Sequence, residues 1–290
     1  MKAVKLKFKT PVRIGELGIG LESTSEVLHS DTLFNAIANA LVSINGDLEE
    51  FIERVRGGEL KISSAFPFRN ETYFLPLPIL PYDKKIKAKF VSKRDFEKLI
   101  AGEEIEVESE NTLCKTFDLP KVLVDRATAN TNIYYVSFVR FEEDGGLYFI
   151  VDGNGKKLIK PALRYLEDEG IGGKRTWGLG RFEHEWDDNF EIKTPSESNA
   201  FVTLSLVFPK DLNSVRYWKT IIRGGWTLKG KQIRKPRIIM ASEGSIFKKC
   251  DEGTLIDLDE IADKFSEKVG HKVFVNGKSF LIPVVLKHED

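Results

Sequence analysis

The first ten residues, MKAVKLKFKT, put Val4, Leu6 and Phe8 on one side of an extended chain and Lys5, Lys7 and Lys9 on the other. Alternation with a period of two predicts a strand with one face buried and one in water. A glycine-containing loop follows, Ile14 to Ser30. Leu33, Phe34, Ile37, Ala38, Leu41 and Val42 then recur at helical spacing. This predicts a helix capped by Ser30 or Asp31 and ended near Gly46. A short helix over 49–56 and short strands over 60–64 and 71–75 come next. The run PLPILP, Pro76 to Pro81, then stops regular structure. Strands are expected over 131–141 and 147–151, joined as a hairpin by Glu-Glu-Asp-Gly-Gly. A helix over 157–169 follows, with Gly170 at its C-terminal cap, and then a strand from Phe182 to about Trp186.

The polar stretch PSESN, 195–199, reads as a linker. Beyond it the pattern gives a strand over 201–208, a helix around 212–222, a strand near 236–240, a helix near 258–268 and strands over 272–275 and 280–286. The fold class expected from this order is α+β, with two tandem ferredoxin-like (RRM-like) βαββαβ domains over 1–194 and 195–290. The repeat is one of topology, with no repeat of sequence. The first domain carries an insertion over about 82–126. Within it Lys84 to Lys98 holds seven Lys/Arg against two acids, and Glu103 to Glu110 is strongly acidic. On composition alone that block reads as a solvated hairpin or helix.

Composition narrows the function. The 290 residues carry 44 Lys+Arg and 44 Asp+Glu, a formal net charge of zero, which excludes a globally basic nucleic-acid binder. A local basic face remains open, because binding follows charge distribution as well as the total. Two isolated cysteines, Cys114 and Cys250, make no zinc knuckle. His29, His184, His271 and His288 are scattered, with no paired metal-ligand spacing, so neither a metal nor a cofactor is expected. No run reaches the ~18–20 apolar residues of a membrane span, and the start lacks a signal-peptide core. A cytoplasmic protein with no membrane partner is the expectation.

Two stretches carry candidate chemistry. In the first, Gly170, Gly172, Gly173, Gly178 and Gly180 interleave with Lys174, Arg175, Trp177 and Arg181. Glycines let a backbone approach a polyanion and expose its N–H groups. Lys and Arg supply phosphate contacts, and Trp supplies a stacking face. The GK[ST] ending of a P-loop is absent. The loop also follows a helix and leads to a strand, the reverse of a dinucleotide-binding fingerprint. RNA contact and a glycine-rich turn bracing the next strand both fit. In the second stretch, Arg216 to Arg237, eight Lys/Arg lie between Asp211 and Glu243 with no acid, and Trp218 and Trp226 lie among them. That suits single-stranded nucleic acid, an acidic partner or a solvated face. His29, just before the first helix, is either a helix-start polar residue or a general acid/base for metal-independent RNA cleavage.

The alternating first strand, SDTLFNAIANAL (Ser30–Leu41) and GIGGKRTWGLGRFE (Gly170–Glu183) together resemble the RAMP proteins of CRISPR systems. With VDRATANTNIYYVSFVRF (Val124–Phe141), the resemblance is to the type III-A (Csm) effector subunit that caps the crRNA 5′ handle. It covers the first ~185 residues well and the rest more by topology; the equivalent type III-B subunit is similar. The resemblance implies a non-catalytic RNA-binding assembly subunit. Its partners would be crRNA, the large polymerase-like subunit with its cyclase domain, and the adjacent backbone RAMP subunit. The insertion becomes a thumb that splays a base at the junction of handle and guide. Arg13, Lys174, Arg175 and Arg181 would contact phosphates, with Gly172, Gly173, Gly178 and Ser30 at the same edge. Arg126 would add a contact from the insertion's base, and Trp177 would either stack on RNA or pack internally. Asp31 would cap the first helix, without the cleavage role of the backbone subunit's loop aspartate. The alternative is a Cas6-type repeat-processing endoribonuclease with His29 as catalyst. A third reading is a structural adaptor whose basic faces meet acidic protein surface.

Overall fold

The computed structural model describes every residue except 16–19, 82–87, 106–112, 129, 229 and 288–290. Gly18, His288, the start of the basic run and much of the acidic run of the insertion lie outside the described residues.

The elements in chain order are β1 (Lys2–Phe8), α1 (Ser30–Ser43), α2 (Leu48–Gly57), β2 (Leu60–Ile62), β3 (Phe66–Arg69), β4 (Thr72–Pro76), β5 (Phe90–Ser92), α3 (Lys93–Ile100), β6 (Lys115–Val124), β7 (Thr131–Arg140), β8 (Gly145–Gly153), α4 (Lys156–Glu169) and β9 (Phe182–Asp187). The second half holds β10 (Ala200–Thr203), β11 (Val215–Tyr217), β12 (Thr220–Arg223), β13 (Ile238–Ala241), β14 (Ile246–Phe247), β15 (Gly253–Asp257), α5 (Phe265–Val269), β16 (Phe274–Lys278) and β17 (Leu281–Val284).

The first sheet runs β5-β4-β3-β8-β1-β9, with β2 also on β8, and its pairings are antiparallel. Taking β2 and β3 as one interrupted strand, β9-β1-β8-β3 is the 4-1-3-2 order of a split βαβ unit. The crossovers α1 and α4 cover one face, where Val4, Leu6, Phe149 and Val151 meet Phe34, Ile37, Leu163 and Leu166. The opposite face is covered too. There Ala3, Phe66, Phe68, Tyr148 and Ile150 share a core with Ala200, Val202, Ile246, Ile282 and Val284 of the second half. The second half is built on an antiparallel sheet, β11-β14-β10-β17, with β12–β13 and β15–β16 as separate pairs. The fold is thus α+β, as the pattern predicts. In the second unit the helices are reduced to α5 and single 3-10 turns.

Several expectations change. β1 is buried on both faces near Lys5, because the second unit packs where water was expected. The Lys5 stem is enclosed and its Nζ lies 3.5 Å from Glu71 and 5.1 Å from the Tyr73 ring centroid. β7 does not form a hairpin with β8, since both edges of β8 are taken by β1 and by β2 and β3; it pairs with β6 over ten residue pairs. Part of the insertion is core: α3 buries Phe96, Leu99 and Ile100. What projects is the outer part of the β6–β7 ribbon, and β7 comes back to the core at Val136–Val139, where Val139 bridges to Val12, so the return lies past the expected 122–126. Pro67 hid β3 from the pattern. The helix expected around 212–222 is a 3-10 turn, Leu212–Ser214, followed by β11 and β12, as β-branched Val215, Thr220, Ile221 and Ile222 favour. The helix expected over 258–268 is broken by Lys264 in the left-handed region, φ 51°.

Candidate nucleic-acid interface

The loop after α4 is shaped by its glycines. Gly172 has φ 91°, and a Cβ there would lie 2.5 Å from the Arg13 carbonyl oxygen; Gly180 has φ 75°, with the Ile171 carbonyl oxygen at 2.0 Å. Only glycine permits such approach. The loop is thereby laced to the segment after β1: Gly173 N–H donates to Arg13 O at 2.7 Å and Gly180 N–H to Pro11 O at 2.9 Å. Gly178, φ 76°, faces open space instead. Gly172 and Gly180 thus brace the turn, while the backbone at Gly178 is left open.

Between them Arg175–Trp177 forms a 3-10 turn that presents Trp177 to solvent, 42% exposed. Two ammonium groups flank its ring: Lys174 Nζ at 4.7 Å from the centroid and Lys121 Nζ, from β6, at 4.8 Å. Such contacts fix the ring's orientation at modest cost when exposed. Trp177 is therefore a presented ring rather than an internal packing residue. Lys121 was invisible as a site residue in the sequence, where it is one lysine near the end of the charged insertion. Arg175 and Arg181 lean on Glu169 (3.6 Å) and Asp168 (3.4 Å) at the end of α4. Exposed pairs of this kind contribute roughly 0–1 kcal/mol and are readily exchanged for a phosphate.

Beside the loop lies a groove of about 550 Å³. Its floor is α1, with Thr32, Asn35 and Asn39; one wall is Gly172, Gly173 and Arg175; the facing wall is Trp226 and Leu228 from the second unit. The two stretches singled out in the sequence thus converge, although about 50 residues of chain separate them.

The other predicted residues sit elsewhere. Arg126 is at the tip of the β6–β7 ribbon, not its base, because the ribbon's return strand only begins at Thr131. Arg13 is largely buried; its guanidinium donates to the carbonyls of Gly20 (3.1 Å) and Ser23 (3.3 Å) and stitches the loop after β1 together. Burial lowers its pKa. Ser30 is fully buried, its N–H donating to Ser64 Oγ and its Oγ accepting from Leu206 N–H. His29, 6% exposed, is buried as well, with Nδ1 2.8 Å from Glu243 Oε1. It is the N-cap of α1 without a capping side-chain bond, so neither Ser30 nor Asp31 holds that position.

These residues form a joint between the two units. Asp31 is an ion-pair partner in place of the expected cap: Arg223, at the end of β12, meets it in a two-pronged pair at 2.8 and 2.9 Å and also donates to Thr32 Oγ1. Burial alone would raise the Asp31 carboxyl, but the charge and hydrogen bonds of Arg223 outweigh it and hold the group below the usual carboxylate range. Glu243 follows the same pattern, with His29 and Ser64 outweighing burial. Lys235, near Asp31, is pushed down by burial. Burial also pushes the Cys114 thiol up to about 12, and Cys250 is a free exposed thiol. Among the described residues no cluster of three or more His, Cys, Asp or Glu is arranged for a metal ion, and no helix is long and apolar enough to cross a membrane.

Comparison with known proteins gives a consistent picture. The profile of the RAMP superfamily matches residues 5–183, and that of the CRISPR Csm4 C-terminal domain matches residues 196–284. A Thermococcus onnurineus protein named "CRISPR system Cms protein Csm4" is 33% identical over 308 residues, covering 98% of this chain and 96% of that protein. A Methanocaldococcus jannaschii protein of the same name is 26% identical over 375 residues, covering 100% and 99%. Among solved structures, a chain of a Csm1–Csm4 cassette in complex with cA4 superposes with a TM-score of 0.71 at 28% identity, covering 99% of each chain. A chain of the Csm3–Csm4 subcomplex of a type III-A interference complex has the same fold, at TM-score 0.68 and 22% identity over 98% of this chain and 99% of the other.

Proposed function

Because the chain belongs to the RAMP superfamily and, within it, to the Csm4 family, we propose that it caps the crRNA 5′ handle in a type III-A CRISPR effector complex and docks the large subunit there. The Csm1–Csm4 cassette, similar over the full chain, supports the large subunit, Csm1, as partner. Contact with the adjacent backbone RAMP subunit completes the assembly, and the thumb reaches over the RNA at the junction of handle and guide. The two units of this reading are 1–194 and 195–290.

One observation carries the RNA part: Trp177, presented between Lys121 and Lys174 beside a groove whose wall is a glycine backbone. Single-stranded RNA is bound by stacking, by phosphate neutralisation and by close backbone approach, and all three are at hand in one place. Lys174, Arg175, Arg181 and the backbone of Gly172, Gly173 and Gly178 form this contact, with Trp177 stacking and Arg126 reaching RNA from the ribbon tip. Arg13 and Ser30 shape the site from beneath. The role is non-catalytic: His29, the base that the repeat-processing alternative would use, is enclosed and committed to Glu243.

The test is co-expression with the large subunit from the same locus, followed by gel filtration with and without handle RNA. A stable heterodimer that retains the RNA is expected. A chain that elutes alone and cuts repeat RNA, with cutting lost in His29→Ala, is the result that overturns the reading.

A further inference from the structure

Within the basic stretch of the second unit, Arg223 and Lys235 belong to the joint with Asp31, and the surface presented between them is not accounted for by that joint. Trp226–Leu228 and Gly230–Arg234 run side by side and are closed by a Trp226–Arg234 bridge, as a small hairpin. It is rigidly built. Thr227, buried, donates from Oγ1 to Lys231 O at 2.8 Å and accepts from Ile233 N–H at 2.9 Å. Gly230 has φ 70°, and a Cβ there would lie 2.3 Å from the Val269 carbonyl oxygen, to which Lys231 N–H donates at 3.0 Å. Lys235 N–H closes the base on Gly225 O at 2.8 Å. This framework presents Trp226 to solvent at 67% exposure, with Leu228 beside it at 54%, over the groove whose other wall is the Gly-rich loop. Burying these side chains would favour folding, so a rigid turn that holds them out points to a ligand.

Charge says which ligand. Many cations on the first unit already meet carboxylates: Lys2 with Asp188, Lys9 with Glu183, Lys93 with Glu97, Lys156 with Asp188. In the hairpin, Lys231 and Arg234 are exposed and meet no carboxylate among the described residues. Exposed tryptophan with unneutralised cations is the pattern for single-stranded nucleic acid. The groove's volume falls within the ~300–1,000 Å³ range of sites for ligands of nucleotide size.

We propose that the hairpin arms carrying Trp226, Lys231 and Arg234 are the second jaw of the RNA site. Single-stranded RNA leaving the Gly-rich loop crosses the groove over α1, stacks a base on Trp226 and places phosphates on Lys231 and Arg234. The site is then a clamp completed by both units. This rests on the RNA-binding reading above.

The test uses the full chain, alone and paired with the large subunit. The probe is a fluorescein-labelled single-stranded RNA of about twelve nucleotides that begins with the repeat-derived handle, titrated over a range of salt. The variants are Trp226→Ala, Trp226→Phe, Lys231→Ala with Arg234→Ala, and Trp177→Ala. Loss of a base–aromatic stack weakens binding roughly 5- to 150-fold, which is the expectation for Trp226→Ala, while Trp226→Phe stays near the parent. Removing two phosphate contacts reduces the log–log salt slope by about 1.4. If both hairpin variants bind as the parent does while Trp177→Ala is weakened, the second jaw is wrong and the capping reading stands. If the parent fails to bind even when paired, both fail together. If Trp226→Ala keeps RNA and loses the large subunit, the hairpin is a protein-docking surface and the proposal is overturned.

Discussion

Gly178 and Gly180 stand two residues apart at nearly the same left-handed φ, 76° and 75°, yet their surroundings differ completely. An alanine at 178 meets nothing within 4 Å, so Gly178→Ala carries only the conformational cost of an L-residue in that region, about 1–2 kcal/mol. An alanine at 180 drives its Cβ into the Ile171 carbonyl oxygen and must unlace the loop from the strand. Thermal melts are expected to show a modest drop for Gly178→Ala and a much larger one for Gly180→Ala. RNA affinity falls in Gly178→Ala at unchanged fold, because the added methyl occupies the space through which the backbone is approached. Equal melting losses in the two variants would contradict this division of labour. Glycines announce such positions in the sequence, which is why the loop was legible before the structure. The sequence could not say which glycine faces backbone and which faces space. Ser30 and His29 misled for the opposite reason. Polar residues at a helix start normally sit in water or cap the helix, and here the second unit covers them.

At the scale of elements, the β6–β7 ribbon carries the clearest mismatch between composition and position. Phe117 and Phe138 pair across its base, ring centroids 5.6 Å apart, and Ser137 donates to Asp118, which anchors that end. Further out, Val122, Ile133 and Tyr135 lie on one face, each about half exposed or more. Changing Val122 and Ile133 to Thr should leave stability within about 0.5 kcal/mol, since they bury little. The same changes should weaken RNA retention in the assembled complex, measured by filter binding. Lys121→Gln is expected to lower the salt slope of RNA binding by about 0.7 with an unchanged melting temperature, as one phosphate contact is removed. An unaltered slope would leave Lys121 as a partner of Trp177 only. The ribbon's strands were hard to delimit from sequence. Thr131–Arg140 is rich in the β-branched and aromatic residues of a strand, but its partner is the insertion itself and not the sheet. Pattern gives the faces of a strand; which neighbour it pairs with is decided by the edges left open once the 4-1-3-2 order is made.

For the whole molecule, the Asp31–Arg223 pair joins residues 192 positions apart, and no local pattern announces it. The apolar core on the second face of the first sheet, shared by Phe66, Tyr148, Val202 and Ile282, makes the two units one cooperative body. Residues 1–194 alone would expose that face and are expected to aggregate. The pair itself gives a sharper test. Removing one partner of a buried pair strands the other charge and costs about 3–5 kcal/mol, so Asp31→Asn is expected to melt well below the parent at neutral pH. The pH dependence follows from the direction of the shift. Asp31 is held below its unfolded value of about 3.9. Its contribution is therefore complete above that value, shrinks as pH falls towards the depressed folded value, and is gone beneath it. Glu243 acts in the same sense from about 4.3. The parent should lose melting temperature steeply below about pH 4, and Asp31→Asn should lose less over the same window; parallel curves would show that Asp31 is not the group being protonated. Because Arg223 leads directly into Gly224, Gly225 and Trp226, the joint also sets where the basic hairpin stands over the groove. An apolar replacement of both partners, Asp31→Leu with Arg223→Met, removes the charge without stranding either group and should recover most of the stability. If RNA affinity stays low in that stable double variant, the buried pair serves to aim one unit's jaw at the other's.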